Sequence, residues 1–181
     1  GELTNKLEAI ARAGFDGVEI FADDLQSSGL APRTVGERCR ELGLTVVALQ
    51  PFRDAEALPP AWHRQMLEEA RRQLDTLADL GGDFLLACSN TREEAENDRG
   101  RATDTLRDLA ELAAEREMRV GFEALAWGRH VFDYREAWRV VQQADHPALS
   151  LVLDSYHVLA RELELETLAS IPGDRIGLVQ L

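Results

Sequence analysis

The chain has 181 residues, 33 of them acidic and 20 basic, for a formal net charge of −13. That length suffices for one domain with a substantial core, while the acidic balance is the opposite of a nucleic-acid-binding footprint. Cys39 and Cys88 are too few for a disulfide framework, no apolar stretch approaches the roughly 18 residues of a membrane span, and nothing resembles a signal peptide, so the sequence predicts a cytoplasmic protein with no membrane or nucleic-acid partner, its oligomeric state left open.

Helix and strand patterns alternate along the chain. Leu3, Leu7, Ile10 and Ala11 have helical spacing, and Gly14 supplies a stop. GVEIF (17–21) then reads as a strand. Pro32 opens a second helix, as proline can at a first helical position, and Gly43 closes it. TVVALQ (45–50) is the next strand. Over 61–80, Met66, Ala70, Leu74, Leu77 and Leu80 share one helical face, and Gly81 and Gly82 end it before FLLACS (84–89). A helix over 101–116 carries Leu106, Leu109, Ala110 and Ala113, and RVGFEAL (119–125) follows. A helix near 134–144 leads to LSLVLD (149–154), and a short helix around 162–170 leads to RIGLVQL (175–181).

The strand runs recur about every 32 residues, the size of one βα unit in a barrel of about 250 residues. Alternating units can also build an open, doubly wound sheet. The glycine-rich nucleotide fingerprint is absent, and polar side chains are spread over several strand ends, which favours the barrel. The expected architecture is α/β, a (β/α)8 TIM barrel. Residues 1–181 would form an internal portion of it that lacks the first and eighth strands.

Glu123, Asp154 and Gln180 sit at the ends of three successive apolar runs. Oxygen-bearing side chains at the ends of parallel strands are how a barrel builds a reaction site. This set suits a hard divalent cation such as Mg²⁺ or Mn²⁺. The bland readings are a structural buried carboxylate for Glu123 and a helix cap for Asp154.

GFDGVEIF (14–21), LQPFRD (49–54), FEALAWGRHVFDY (122–134) and LDSYH (153–157) together resemble the xylose-isomerase-like barrel superfamily, and within it the bacterial 3-dehydroshikimate dehydratases. GVEIF is a superfamily-level signal, whereas the other strings are more specific. The resemblance implies a metal held by Glu123, Asp154 and Gln180, with a second glutamate beyond Leu181 as fourth ligand; Co²⁺ is a further candidate ion. It implies dehydration of 3-dehydroshikimate, a carboxylate-bearing cyclic ketone, to protocatechuate.

The remaining candidates follow from position. His157, beside Asp154, suits a base with pKa near neutrality, and His130 and Arg129 lie in a loop over the strand-end face. Arg53 can pair with a substrate carboxylate. Gln50 ends its strand, and Glu19 faces the interior if Val18 and Ile20 face outward. Trp127 is expected as a pocket wall, Cys88 as core, and His63 and His146 as surface residues. Alternative functions are a sugar isomerase or epimerase of the hydroxypyruvate isomerase kind, a nuclease-like phosphodiesterase, disfavoured by the scarcity of histidine, and an inactive fragment.

Overall fold

Six parallel strands lie side by side in chain order: β1 (Gly17–Phe21), β2 (Thr45–Phe52), β3 (Phe84–Cys88), β4 (Arg119–Glu123), β5 (Leu149–Asp154) and β6 (Ile176–Gln180). The structure is a computed structural model that describes residues 2–181. Parallel neighbours need a crossover connection, here helical. The helices are α1 (Leu3–Arg12), α2 (Ala22–Ser28), α3 (Pro32–Glu41), α4 (Pro60–Leu80), α5 (Arg99–Ala114), α6 (Tyr134–Ala144) and α7 (Ser155–Ala160). Strands in sequential order, each twisted relative to the last, curl into an open, six-stranded portion of a (β/α)8 barrel.

Two apolar layers flank the sheet. On the outside, Val18, Ile20, Val46, Leu85, Val120, Phe122 and Leu151 pack against helical residues such as Leu7, Val35, Leu74, Leu106 and Val140. On the inside, a smaller cluster holds Ala48, Phe84, Leu86, Cys88, Leu125 and Val152. The Phe84 ring fills the base of the curl, and a Cβ on Gly121 or Gly177 would collide with it. Burying both faces explains why these strands read as continuous apolar runs rather than alternating ones.

All six expected strands form, and β2 runs two residues longer than its apolar core. One helix goes unread in the sequence, and one local expectation needs correction. First, the polar ADDLQSS segment forms α2, held by one buried side chain, Leu25, and closed by Gly29 in the left-handed conformation. Its lack of an apolar stripe hid it. Second, the helix expected around 162–170 is displaced. Asp154 caps α7 directly after β5, its Oδ1 accepting the Tyr156 N–H at 2.7 Å, and 162–170 holds only a 3-10 turn at Glu166–Ser170.

Candidate metal centre

Side chains alternate across a strand, so every second residue faces the curl. On β3 these are Phe84, Leu86 and Cys88; on β5 they end in Val152 and Asp154. The last inward positions form a polar row: Glu19 on β1, Gln50 on β2, Cys88 on β3, Glu123 on β4, Asp154 on β5 and Gln180 on β6. The strand register places Cys88 beside Glu123 and Asp154 beside Gln180.

Glu123 is the best-buried carboxylate of this row, with 4% of its surface exposed. Its Oε2 accepts a hydrogen bond from the Cys88 thiol at 3.2 Å, while Oε1 has no hydrogen-bond partner. Oε1 faces His157 Nε2 at 3.5 Å, and Asp154 Oδ2 lies 3.8 Å from the same nitrogen. One ligand atom from each of Glu123, Asp154 and His157 falls within 4.8 Å of the others. Burial, with the Asp154 and Glu19 charges adding to it, pushes the Glu123 carboxyl up to about 7. Burial likewise lowers the His157 imidazole, against the Asp154 charge.

His157 is held by a backbone contact. The Ala126 N–H donates to Nδ1 at 3.1 Å. A neutral imidazole has one donor and one acceptor nitrogen, so Nδ1 is the acceptor and Nε2 carries the proton. Nε2 therefore presents N–H to the cluster, not a lone pair. In this tautomer Nε2 is a hydrogen-bond donor; a base or ligand role through Nε2 needs the proton moved to Nδ1 and the Ala126 contact given up.

Across the curl, Glu19 Oε2 accepts from Gln50 Nε2 at 2.6 Å and from Gln180 Nε2 at 2.7 Å. The inward placement of Glu19 follows from Val18 and Ile20 packing outward, as expected. Its carboxyl is raised by burial, and the two amides only partly offset this.

A cation fits this row on its own chemistry. A buried carboxylate oxygen with no partner is costly. Here it sits near the Asp154 and Glu19 carboxylates, whose charges add to the cost of its own. Oxygen donors of Glu123, Asp154 and Gln180 match a hard divalent ion.

The sequence from residue 7 to residue 181 matches the family model described as xylose isomerase-like TIM barrel. The chain belongs to the xylose isomerase-like TIM barrel family. It is 46% identical over 181 residues to a 3-dehydroshikimate dehydratase of Pseudomonas putida, covering all of this chain and 28% of that protein. It also superposes on a xylose isomerase-like TIM barrel/4-hydroxyphenylpyruvate dioxygenase fusion protein, with TM-score 0.97 and 46% identity over 99% of this chain and 29% of that one. The chain thus spans under a third of the length of these relatives. The IOLI protein, solved with a bound zinc atom, shares the fold at TM-score 0.90 and 20% identity over 99% of this chain and 67% of that one.

Other expected residues of this xylose isomerase-like barrel surround the row or stand apart from it. Arg53, just past β2, is exposed and has no side-chain ion pair among the described residues. Its charge still lowers the proton affinity of Glu123 and Cys88. Trp127 stands 5.0 Å from the His157 ring, edge to face, and Tyr156 stands 5.3 Å from it. Both aromatics are exposed, with Tyr156 standing beside Trp127. Arg129 is exposed, and its backbone N–H is tied to the Asn90 carbonyl. The structure does not bring His130 into the carboxylate group: its Nε2 meets the Ala95 carbonyl at 3.0 Å, on a small cavity shared with Glu56 and Glu96. His63 pairs with Asp108 at 2.8 Å, and His146 Nδ1 accepts from the Ala148 N–H. Cys88 is buried as expected, yet its thiol is spent on Glu123. Among the described residues, no helix is long and apolar enough to cross a membrane.

Proposed function

We propose that residues 1–181 are the metal-binding portion of a lyase that dehydrates 3-dehydroshikimate to protocatechuate. The observation that carries the metal-centred reading is Glu123 Oε1, buried, partnerless and turned toward Asp154 and His157. The substrate rests on the 46% identity to the Pseudomonas putida dehydratase.

Glu123, Asp154 and Gln180 would hold Mg²⁺, Mn²⁺ or Co²⁺ through oxygen. Such an ion supplies Lewis acidity toward a carbonyl oxygen, favouring loss of the neighbouring carbon-bound proton. His157, with its proton on Nε2, would hydrogen-bond a substrate oxygen at the cluster while keeping that proton. The Ala126 N–H contact with Nδ1 favours this tautomer. Arg53 supplies an unpaired guanidinium for the substrate carboxylate. Trp127 and Tyr156 offer aromatic edges beside the imidazole and limit water there. Gln50 and Glu19, bonded to each other, stand on β2 and β1 in the same polar row.

The test uses the full-length protein, stripped with a chelator and then resupplied with Mg²⁺, Mn²⁺ or Co²⁺. Protocatechuate formation from 3-dehydroshikimate is followed by its ultraviolet absorbance. Turnover that vanishes on stripping and returns with metal is the expected result. No protocatechuate with any of the three ions, together with isomerisation of neutral ketoses or aldoses, would replace this reading with the sugar isomerase.

A further inference from the structure

Resting on the cation-site reading above, we propose that Glu19 and Cys88 are positioning residues that decide which atoms of Gln180 and Glu123 face the ion. An amide side chain has a nitrogen face and an oxygen face of nearly equal size, and only the oxygen can ligate a hard cation. A carboxylate has two equivalent oxygens and can chelate with both or ligate with one. Something behind each side chain must make the choice.

For Gln180 that group is Glu19. An ionised carboxylate accepts hydrogen bonds and donates none. Both Gln180 Nε2 and Gln50 Nε2 converge on its Oε2, at 2.7 and 2.6 Å. Turning the Gln180 amide over would set oxygen against oxygen and lose a charge-assisted bond. Its carbonyl oxygen is therefore directed away from Glu19. The contact joins β1 to β6 across 161 residues of sequence.

For Glu123 the group is Cys88. The thiol sits on the neighbouring strand in direct register and donates to Oε2 at 3.2 Å. Oε1 is left without a partner and faces Asp154 and His157. The thiol occupies one oxygen and leaves the other for a single metal bond. Neither residue would need to touch the ion; each would act on a ligand from behind. Such outer partners typically matter by about tenfold to a hundredfold in metal affinity.

The test is Mn²⁺ binding to full-length wild-type protein and to Glu19→Gln, Cys88→Ala and Cys88→Ser, read by titration with magnetic-resonance detection of free Mn²⁺. Glu19→Gln can present its own NH₂ to Gln180 and so releases the amide to turn; affinity falls about tenfold. Cys88→Ala also weakens binding about tenfold, and Cys88→Ser, which keeps a donor, restores most of it. A purely packing role for Cys88 would make serine as harmful as alanine. A readout without substitution is the S–H infrared stretch. The band of Cys88 should shift when Mn²⁺ draws charge from Glu123, while that of buried Cys39 on α3 stays fixed. Wild-type affinity in Glu19→Gln and Cys88→Ala, or an S–H band indifferent to Mn²⁺, overturns the positioning roles and leaves the cation site standing. A wild-type protein that takes up no Mn²⁺ overturns both.

Discussion

Glu56 should make the protein lose stability as pH rises through the neutral range. It lies between β2 and α4 with 1% of its surface exposed. Its Oε1 accepts the Asn90 N–H at 2.7 Å, and Oε2 has no partner. Burial outweighs that hydrogen bond and pushes the carboxyl from its ordinary 4.5 up to about 8. Between those values the unfolded chain has released the proton that the folded chain still holds. Stability follows the difference in bound protons, so it falls with rising pH. The contribution is complete below the unfolded value and lost as pH rises through the folded one. Each unit is worth at most about 1.4 kcal/mol, or at most about 4 kcal/mol from about pH 5 to about pH 8. Glu56→Gln keeps an oxygen for Asn90 and cannot ionise. Urea unfolding of both proteins at several pH values isolates this group, because other titrations cancel in the difference. The stability of Glu56→Gln relative to wild type should grow by about 2–4 kcal/mol over that range. Exchange of the Asn90 amide should report the same trend locally. Parallel pH profiles for the two proteins would show that Glu56 ionises freely in the fold.

Glu123→Gln removes the partnerless buried charge, so the metal-stripped protein should hold or gain thermal stability. The same variant should lose the stabilisation, about 2.7 kcal/mol at a hundredfold excess over Kd, that Mn²⁺ gives wild type and a chelator removes; an undiminished melting shift would take Glu123 out of the site. Arg53→Ala should weaken a carboxylate-bearing ketone by about 2 kcal/mol in KM or Kd and a neutral sugar hardly at all. Equal losses would remove Arg53 from carboxylate binding and favour the isomerase. Nitrogen-15 NMR of His157 should show the proton on Nε2, as the Ala126 contact requires; a proton on Nδ1 would return the ring to the base or ligand role. Gly121→Ala should cost about 1–3 kcal/mol in urea unfolding, because a Cβ there would lie on the Phe84 ring and 2.5 Å from Val152 Cγ2.

The six strands were legible because burial on both faces writes each as a compact apolar run, and a glycine stands near the start of several of them. The helices that bury a broad stripe, such as α4 with Met66, Ala70, Leu74 and Leu77, were legible for the same reason. Helices α2 and α7 were not. Leu25 is the single buried side chain of α2. α7 is six residues long and is started by a cap rather than by a hydrophobic pattern. Asp154 shows how two readings of one residue need not compete. Its Oδ1 caps α7 while its Oδ2 faces His157, so the helix cap also holds the carboxylate beside the proposed cation site.

The site itself was legible by position and illegible by atom. Counting inward-facing residues to the end of each strand yields Glu19, Gln50, Glu123, Asp154 and Gln180, all readable as polar groups closing an apolar run. The same count lands on Cys88, but a cysteine within FLLACS looks like one more apolar core residue. Its role is set by a strand 35 residues later in sequence, where Glu123 stands opposite it. The proton position on His157 is equally remote from its own neighbourhood, since the Ala126 N–H that fixes it lies on the loop after β4. A strand-end pattern can therefore say which residues meet. Which oxygen is free, which amide face turns inward and which nitrogen holds a proton are decided by contacts between strands, and chemistry depends on those choices. The place of His157 beside Asp154 is readable from sequence, whereas the proton on Nε2 that bears on its role is set by the Ala126 contact.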